Sequence, residues 1–323
     1  MIHTRGLTRS FRVGKETVDA VRDLDIDVEK GELVAFLGPN GAGKSTSLRM
    51  LTTLLPPTAG TATVAGCDVL ADPAGTRRRI GYIGQGNGAG ANFLVRDELV
   101  TQGRCHGLPR AESRRRTGEL LAALNLETLA RRPAGTLSGG QRRRLDIALG
   151  LVHRPELLFL DEPSTGLDPQ NRANLWEHIL RLREESGMTI FLTTHYLDEA
   201  DSMAERVMII DHGRVIADDT PEKLKADLAG DRVTVTVGDG PDATRAAGIA
   251  GRIPTAHEVT AEATTVSLRV TRGDAVLPDF LRSLDAAGVK VLTAEVGRPT
   301  LDDVFLSLTG RSLRENAPTP EGA

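Results

Sequence analysis

Aromatic residues make up only 3% of this 323-residue chain, with a single Trp and two Tyr among them. So sparse a set argues against a surface that stacks nucleic-acid bases. The net charge of −4 argues against a protein held to nucleic acid by overall charge, and no nucleic-acid partner is expected. The run Arg114-Arg115-Arg116 reads as a solvated helix face. Cysteine is nearly absent: Cys67 and Cys105 stand far apart without a CxxC pair, which excludes a disulfide framework and a cysteine zinc site. No stretch approaches the roughly 18 apolar residues of a spanning helix, and Met1–Gly6 lacks the apolar core of a leader peptide. The expectation is a cytoplasmic chain that reaches any membrane through a partner. Its length suits two domains of about 150 residues each.

Against these absences stands one dense motif, Gly38-Pro39-Asn40-Gly41-Ala42-Gly43-Lys44-Ser45-Thr46. It follows the apolar run Leu33–Leu37 and precedes Ser47–Leu55, whose apolar residues recur at helical spacing, so it reads as strand, glycine loop and helix. Glycines let backbone N–H groups wrap anionic oxygens, and the helix adds unpaired N–H groups and its positive end. In that setting Lys44 meets the β- and γ-phosphates of a nucleotide and Ser45 offers its hydroxyl to Mg²⁺. A glycine-rich turn that binds nothing would not need every fixed position at once.

Later segments add to this site. Ile80–Gly84 reads as a buried strand ending at Gln85, whose amide is placed for Mg²⁺ or a water, although taken alone it would be a surface glutamine. Residues 86–92, Gly-Asn-Gly-Ala-Gly-Ala-Asn, have no side-chain anchors and read as a hinge. From Val95 to about Leu129 the pattern is helical, with Leu120, Leu121 and Leu124 on one stripe. Ser138-Gly139-Gly140-Gln141 opens another helix, with Ser138 at its N-cap, and makes half of an anion site that another molecule or domain would complete. Leu157–Leu160 runs into Asp161 and Glu162, the first suited to the Mg²⁺ shell and the second to activating the attacking water. Met188–Thr194 is a further strand ending in His195, within reach of a γ-phosphate. Phe11, before the turn at 13–15, reads locally as a core residue at a strand end, with stacking on adenine as the alternative.

Around Gly230 the organisation changes. Arg232–Val237, Thr265–Val270 and Lys290–Val296 read as strands and Ala275–Ala287 as a helix, a small α+β domain with no catalytic constellation. Pro299–Leu308 reads as a short amphipathic helix, and 311–323 as a disordered tail.

Taken in this order, the phosphate loop, Gln85, Leu137–Gln141, Asp161-Glu162, the turn Thr165–Asp168 and His195 resemble an ATP-binding cassette (ABC) ATPase over about two-thirds of the chain. Within that family, Gln141–Ala148, Tyr196–Asp201 and Leu301–Leu306 resemble the ATPase subunits of daunorubicin and doxorubicin exporters, which also carry a small C-terminal domain. The resemblance implies an α/β fold of ABC type: a mixed sheet with an antiparallel β subdomain and a helical subdomain at about 95–135. This cassette would occupy 1–230, with the α+β domain at 231–310. It also implies two copies facing head to tail, each ATP lying between the Gly38–Thr46 loop of one and Ser138 and Gly140 of the other. Phe11 then falls where the family stacks an aromatic ring on adenine. ATP and Mg²⁺ are the implied cofactors, Glu162 the general base assisted by His195, and Gln85 the relay to a membrane permease at the cytoplasmic face. The expected function is energising export of a hydrophobic, antibiotic-like compound. An importer ATPase, or a cassette acting on ribosomes or DNA, is the alternative; the single loop and the lack of a coiled-coil insertion weigh against the latter.

Overall fold

Antiparallel pairing builds the first layer of the structure, a computed structural model that describes residues 1–14 and 16–310. The expected tail at 311–323 lies outside the described residues. Strand β1 (Ile2–Val13) pairs with β2 (Glu16–Val28), Ile2 facing Val28, in a hairpin far longer than the short strands expected there. Along β2 the alternation is strict at its end: Leu24, Ile26 and Val28 are buried while Asp25 and Asp27 face outward. The fully buried β3 (Leu33–Leu37) leads through the glycine loop into α1 (Lys44–Leu51). Strands β4 (Ala59–Val64) and β5 (Cys67–Asp68) complete a four-stranded sheet of order β2-β1-β4-β5.

Helix α2 (Pro73–Arg79), capped by Asp72, enters β6 (Ile80–Ile83). The helical stretch expected from Val95 to Leu129 is two helices, α3 (Val95–Cys105) and α4 (Arg110–Ala123). Gly107, with φ 86°, and Pro109 separate them, since neither residue continues a helix. Leu120, Leu121 and Leu124 are buried as their spacing requires, and Arg115 turns outward to Glu112 and Glu119. Then follow α5 (Gly139–Leu151), β7 (Leu157–Asp161), α6 (Pro169–Ser186), β8 (Thr189–Thr194), α7 (Leu197–Met203), β9 (Arg206–Asp211) and β10 (Arg214–Asp219). The central sheet has the order β10-β9-β3-β8-β7-β6, with β3/β9, β3/β8, β7/β8 and β6/β7 parallel. β3, β7 and β8 are buried throughout, which is why they read as unbroken apolar runs. Three of the chain's few aromatic rings meet here, Phe36 and Phe159 lying 5.5 and 5.8 Å from Phe191, one from each central strand.

Register matters most for function. Leu37 lies opposite Thr194, and Asp161 opposite Thr193, so the chain leaves β3, β7 and β8 at one edge of the sheet. The carboxyl ends of parallel strands are where such sheets hold ligands.

The chain divides into two compact units at Asp218/Asp219. The segment from Pro221 was expected to close the first domain; it belongs to the second unit instead. There α8 (Pro221–Leu224) is capped by Thr220 and runs into one wide helical turn. Strands β11 (Asp231–Val237), β12 (His257–Glu262), β13 (Thr265–Val270) and β14 (Val291–Gly297) form an antiparallel sheet of order β12-β13-β11-β14. Helices α9 (Gly240–Ala250) and α10 (Gly273–Ala286) cover Val233, Val235 and Val237 with Ala243, Ala246, Phe280 and Leu284. Neither α9 nor β12 was foreseen. The first buries only small alanines, and the second is an edge strand whose side chains are nearly all exposed, so neither shows a strong apolar period. Helix α11 (Leu301–Thr309) opens with a capping box between Thr300 and Asp303, and Asp303 also accepts from Arg269.

Candidate active site

The glycine loop is shaped by close contacts. Gly43 has φ 106°, and a side chain there would meet the Ala20 carbonyl at 2.5 Å; at Gly38 it would meet the Ile210 carbonyl at 2.3 Å. Between them Pro39 and Ala42 are buried, while Asn40 and Gly41 face outward. Lys44, 4% exposed, donates its ammonium to the carbonyls of Gly38 (2.7 Å) and Pro39 (3.1 Å). Burial pushes the Lys44 pKa down, and the Glu162 and Asp161 carboxylates oppose this. The first turn of α1, which also carries Thr46, holds no acidic residue, so the helix itself adds no negative charge at its positive end.

Beside the loop, the hydroxyl of Ser45 donates to Asp161 Oδ1 at 3.1 Å, and the Gln85 amide lies 3.4 Å from Ser45 Oγ. Asp161 is 1% exposed and is oriented by Thr193, whose hydroxyl donates to Oδ1 at 2.7 Å. A hydroxyl, a carboxylate and an amide that can present its oxygen form a set of hard donors, which fits Mg²⁺ completed by phosphate and water oxygens.

Glu162 adopts φ 48°, an uncommon backbone for a residue with a side chain. That turn lifts its carboxylate out of the strand direction toward the loop. Oε2 lies 3.2 Å from Nδ1 of His195, and Oε1 lies 3.5 Å from the ammonium of Lys44. The His195 imidazole holds the Glu162 carboxyl below its usual range against the opposing effect of burial, and Lys44 adds to this. An ionised carboxylate at the foot of a phosphate loop is equipped to accept a proton from water. Glu162 N–H donates to the Thr193 hydroxyl and carbonyl, both at 3.1 Å, so β8 fixes the pair of acids from below.

The helix start at 138–141 presents itself separately. Ser138 and Gln141 close a capping box, the Ser138 N–H donating to the Gln141 side chain at 3.0 Å. Ser138 and Gly139 are exposed and Gly140 is buried. No hydrogen bond or ion pair among the described residues joins the four to the Lys44 loop. Phe11 is not a core residue, contrary to its local reading: it is 36% exposed, pairs with Val18 across the hairpin, and lies beneath the Arg9 guanidinium at 4.7 Å. Sequence reading missed Thr193, which orients both acids, and Arg143, which is buried behind them. A threonine inside an apolar strand and one arginine of three carry little signal by themselves.

These contacts define a class first: an α/β phosphate-loop protein with an ionised carboxylate beside the loop lysine. Comparison with known proteins narrows it. The ABC transporter family matches residues 21–165, and the C-terminal domain of DrrA1-3-like ATP-binding proteins matches 220–309. The chain is 40% identical over 326 residues to the daunorubicin/doxorubicin resistance ATP-binding protein DrrA of Streptomyces peucetius, covering 100% of this chain and 96% of that one. It is 39% identical over 305 residues to the Nod factor export ATP-binding protein I of Ralstonia nicotianae, with 94% and 92% covered. A dimeric ATP-binding cassette solved in a post-hydrolysis state with ADP and phosphate matches with TM-score 0.63 and 26% identity, over 68% of this chain and 98% of that one. The chain belongs to the ABC transporter ATP-binding proteins with a DrrA-like C-terminal domain. It binds nucleotide and is an ABC-type ATPase, the energising subunit of an exporter; the importer, ribosome and DNA readings are not favoured. No helix among the described residues is long and apolar enough to cross a membrane.

Proposed function

We propose that two copies of this chain close head to tail on two ATP molecules and drive a separately encoded permease at the cytoplasmic face of the membrane. In this reading the Gly38–Thr46 loop of one copy wraps the phosphates, and Ser138 and Gly140 of the other complete the site. Lys44 neutralises the β- and γ-oxygens. Ser45, Gln85 and Asp161 hold Mg²⁺, which when bound offsets the charge gathering on the transferred phosphoryl group. Glu162 accepts a proton from water as its oxygen bonds to the γ-phosphorus and the bond to ADP breaks, with His195 orienting the carboxylate. Phe11, exposed near the end of its hairpin, supplies a ring for the adenine. The relatives' names support a hydrophobic, antibiotic-like compound as the cargo.

The single observation that carries this reading is the placement of Glu162 between Lys44 and His195, at 3.5 and 3.2 Å. The exposed half-site at Ser138 supports the second copy, because no anionic group among the described residues meets its helix start. Mixed protomers test the pairing. Lys44→Ala and Ser138→Arg chains should each be inactive alone. Mixed equally they form pairs with one intact composite site, and about a quarter of the wild-type hydrolysis should return. No recovery would sink the head-to-tail pair. Capture of the tagged chain from detergent-solubilised host membranes should bring a stoichiometric polytopic protein, and its absence would count against the permease.

A further inference from the structure

The segment after Gln85 has almost no side chains of its own, yet it is held in place. Most of its anchors come from the first two turns of α5, the helix capped by Ser138, and the Gly135 N–H adds one more by donating to the Ala91 carbonyl at 2.8 Å. Arg143, 8% exposed, spends its guanidinium on three backbone carbonyls: Gly84 at 2.8 Å, Pro163 at 2.6 Å and Asp161 at 3.5 Å. Gly84 immediately precedes Gln85, and Pro163 immediately follows Glu162. One turn further on, Asp146, 5% exposed, accepts from the Gly88 N–H at 2.9 Å. Arg142 donates to the Ala89 carbonyl at 3.2 Å.

We infer that Arg143 is a positioning residue that sets the spacing between Gln85 and the Asp161-Glu162 pair, so that a signal received at Ser138 is delivered to the metal ligands of the same chain. This inference rests on the nucleotide reading above and adds to it a physical link within the chain. The chemistry favours arginine here: a planar fork with five donors can reach carbonyls on two separate segments at once, whereas a lysine ammonium is a single point. Desolvating a cation is costly unless its donors are satisfied, so the three carbonyls and the buried guanidinium hold one another in a single arrangement. Asp146 and Arg142 extend the grip to the glycine segment, where they meet the backbone groups of Gly88 and Ala89. A helix this short is rigid. Displacement of its start is therefore passed on to Gly84 and Pro163 with little loss.

The test separates metal binding from nucleotide binding in the purified full chain. ATP affinity is measured with chelator present, using a fluorescent ATP analogue, and Mn²⁺ affinity in the ATP complex is measured by paramagnetic resonance. Arg143→Gln should leave metal-free ATP affinity within about twofold, since the Lys44 loop is untouched, and weaken Mn²⁺ about tenfold, the usual cost of losing a residue that orients metal ligands. Arg143→Lys should fall between Gln and the wild type; this variant keeps the buried charge and guards against a loss due to misfolding. Equal loss of both affinities would indicate general loosening and overturn the inference, as would unchanged Mn²⁺ binding in Arg143→Gln. A wild-type chain that binds no ATP would instead overturn the nucleotide reading on which the inference stands.

Discussion

In residues 1–218 the buried charges gather around one edge of a sheet, whereas from Asp219 onward the one buried charge among the described residues ties down the end of the fold. Lys44, Asp161, Arg143 and Asp146 all serve the phosphate loop or the strands and loop around it. Arg269 donates to Glu258 at 2.7 Å, to Asp303 and to the Ala229 carbonyl, and so joins an edge strand, the last helix and the segment before β11. The first set leaves Glu162 ionised between two nitrogen groups, the Lys44 ammonium and the His195 imidazole, with the Thr165 hydroxyl donating to it at 3.4 Å. In the second set Arg269 meets carboxylates and a carbonyl, and the Asp303 oxygens are further occupied by Thr300. Burial of charge is thus shared by a reactive site and a structural clasp. What differs is the setting: the acids of the first set stand beside a phosphate loop, whereas Arg269 joins separate elements of one fold.

Substitutions should pull the two regions apart. The largest effect is expected for Glu162→Gln: turnover should fall by about 10²–10⁴, the usual worth of a general base, while ATP-bound pairs accumulate on size-exclusion chromatography. Unchanged turnover would remove Glu162 from that role. Arg269→Leu should cost the C-terminal unit about 3 kcal/mol, because it strands Asp303 beside buried surface; calorimetry would show this, with ATP affinity unchanged. Loss of nucleotide binding in that variant would erase the contrast between the units. Lys44→Ala should weaken ATP by about a hundredfold, near 2.7 kcal/mol, in direct titration, and full retention would refute the phosphate-loop assignment.

The smallest effect concerns acid. His153 stacks on His106 at 3.7 Å and hydrogen-bonds the Ile80 carbonyl; burial, helped by His106, lowers its pKa from 6.5 to about 4. The unfolded chain therefore takes up the proton first, so this stabilisation is complete above pH 6.5 and is lost as pH falls toward 4. Between pH 7 and 5 the loss should be about 2 kcal/mol, and His153→Phe should flatten that part of the stability profile measured by denaturant titration.

Local chemistry made much of this legible. The glycine loop announces itself because backbone wrapping requires small residues at fixed spacing, and the β7 acids stand out because they end a run of apolar residues. The local reading of Phe11 as a core residue failed because a lone aromatic in a strand carries no mark of which face it lies on. The unit boundary was set some residues late because Pro221–Leu224 has an ordinary capped helix start that does not reveal which unit it packs against.

The sequence by itself determined which segment could wrap phosphate, since that depends on residues close together in the chain, and it marked Ser45, Gln85, Asp161, Glu162 and His195 as separate strand-end and helix-start candidates. Only the tertiary structure decided that Leu37 and Thr194 share a register, that Thr193 steadies Asp161 and Glu162, and that Arg143 rather than Arg142 or Arg144 is the arginine behind the acids. These are contacts between residues 18 to 157 positions apart, and no local spacing encodes which of several similar side chains faces the interior once the strands are aligned.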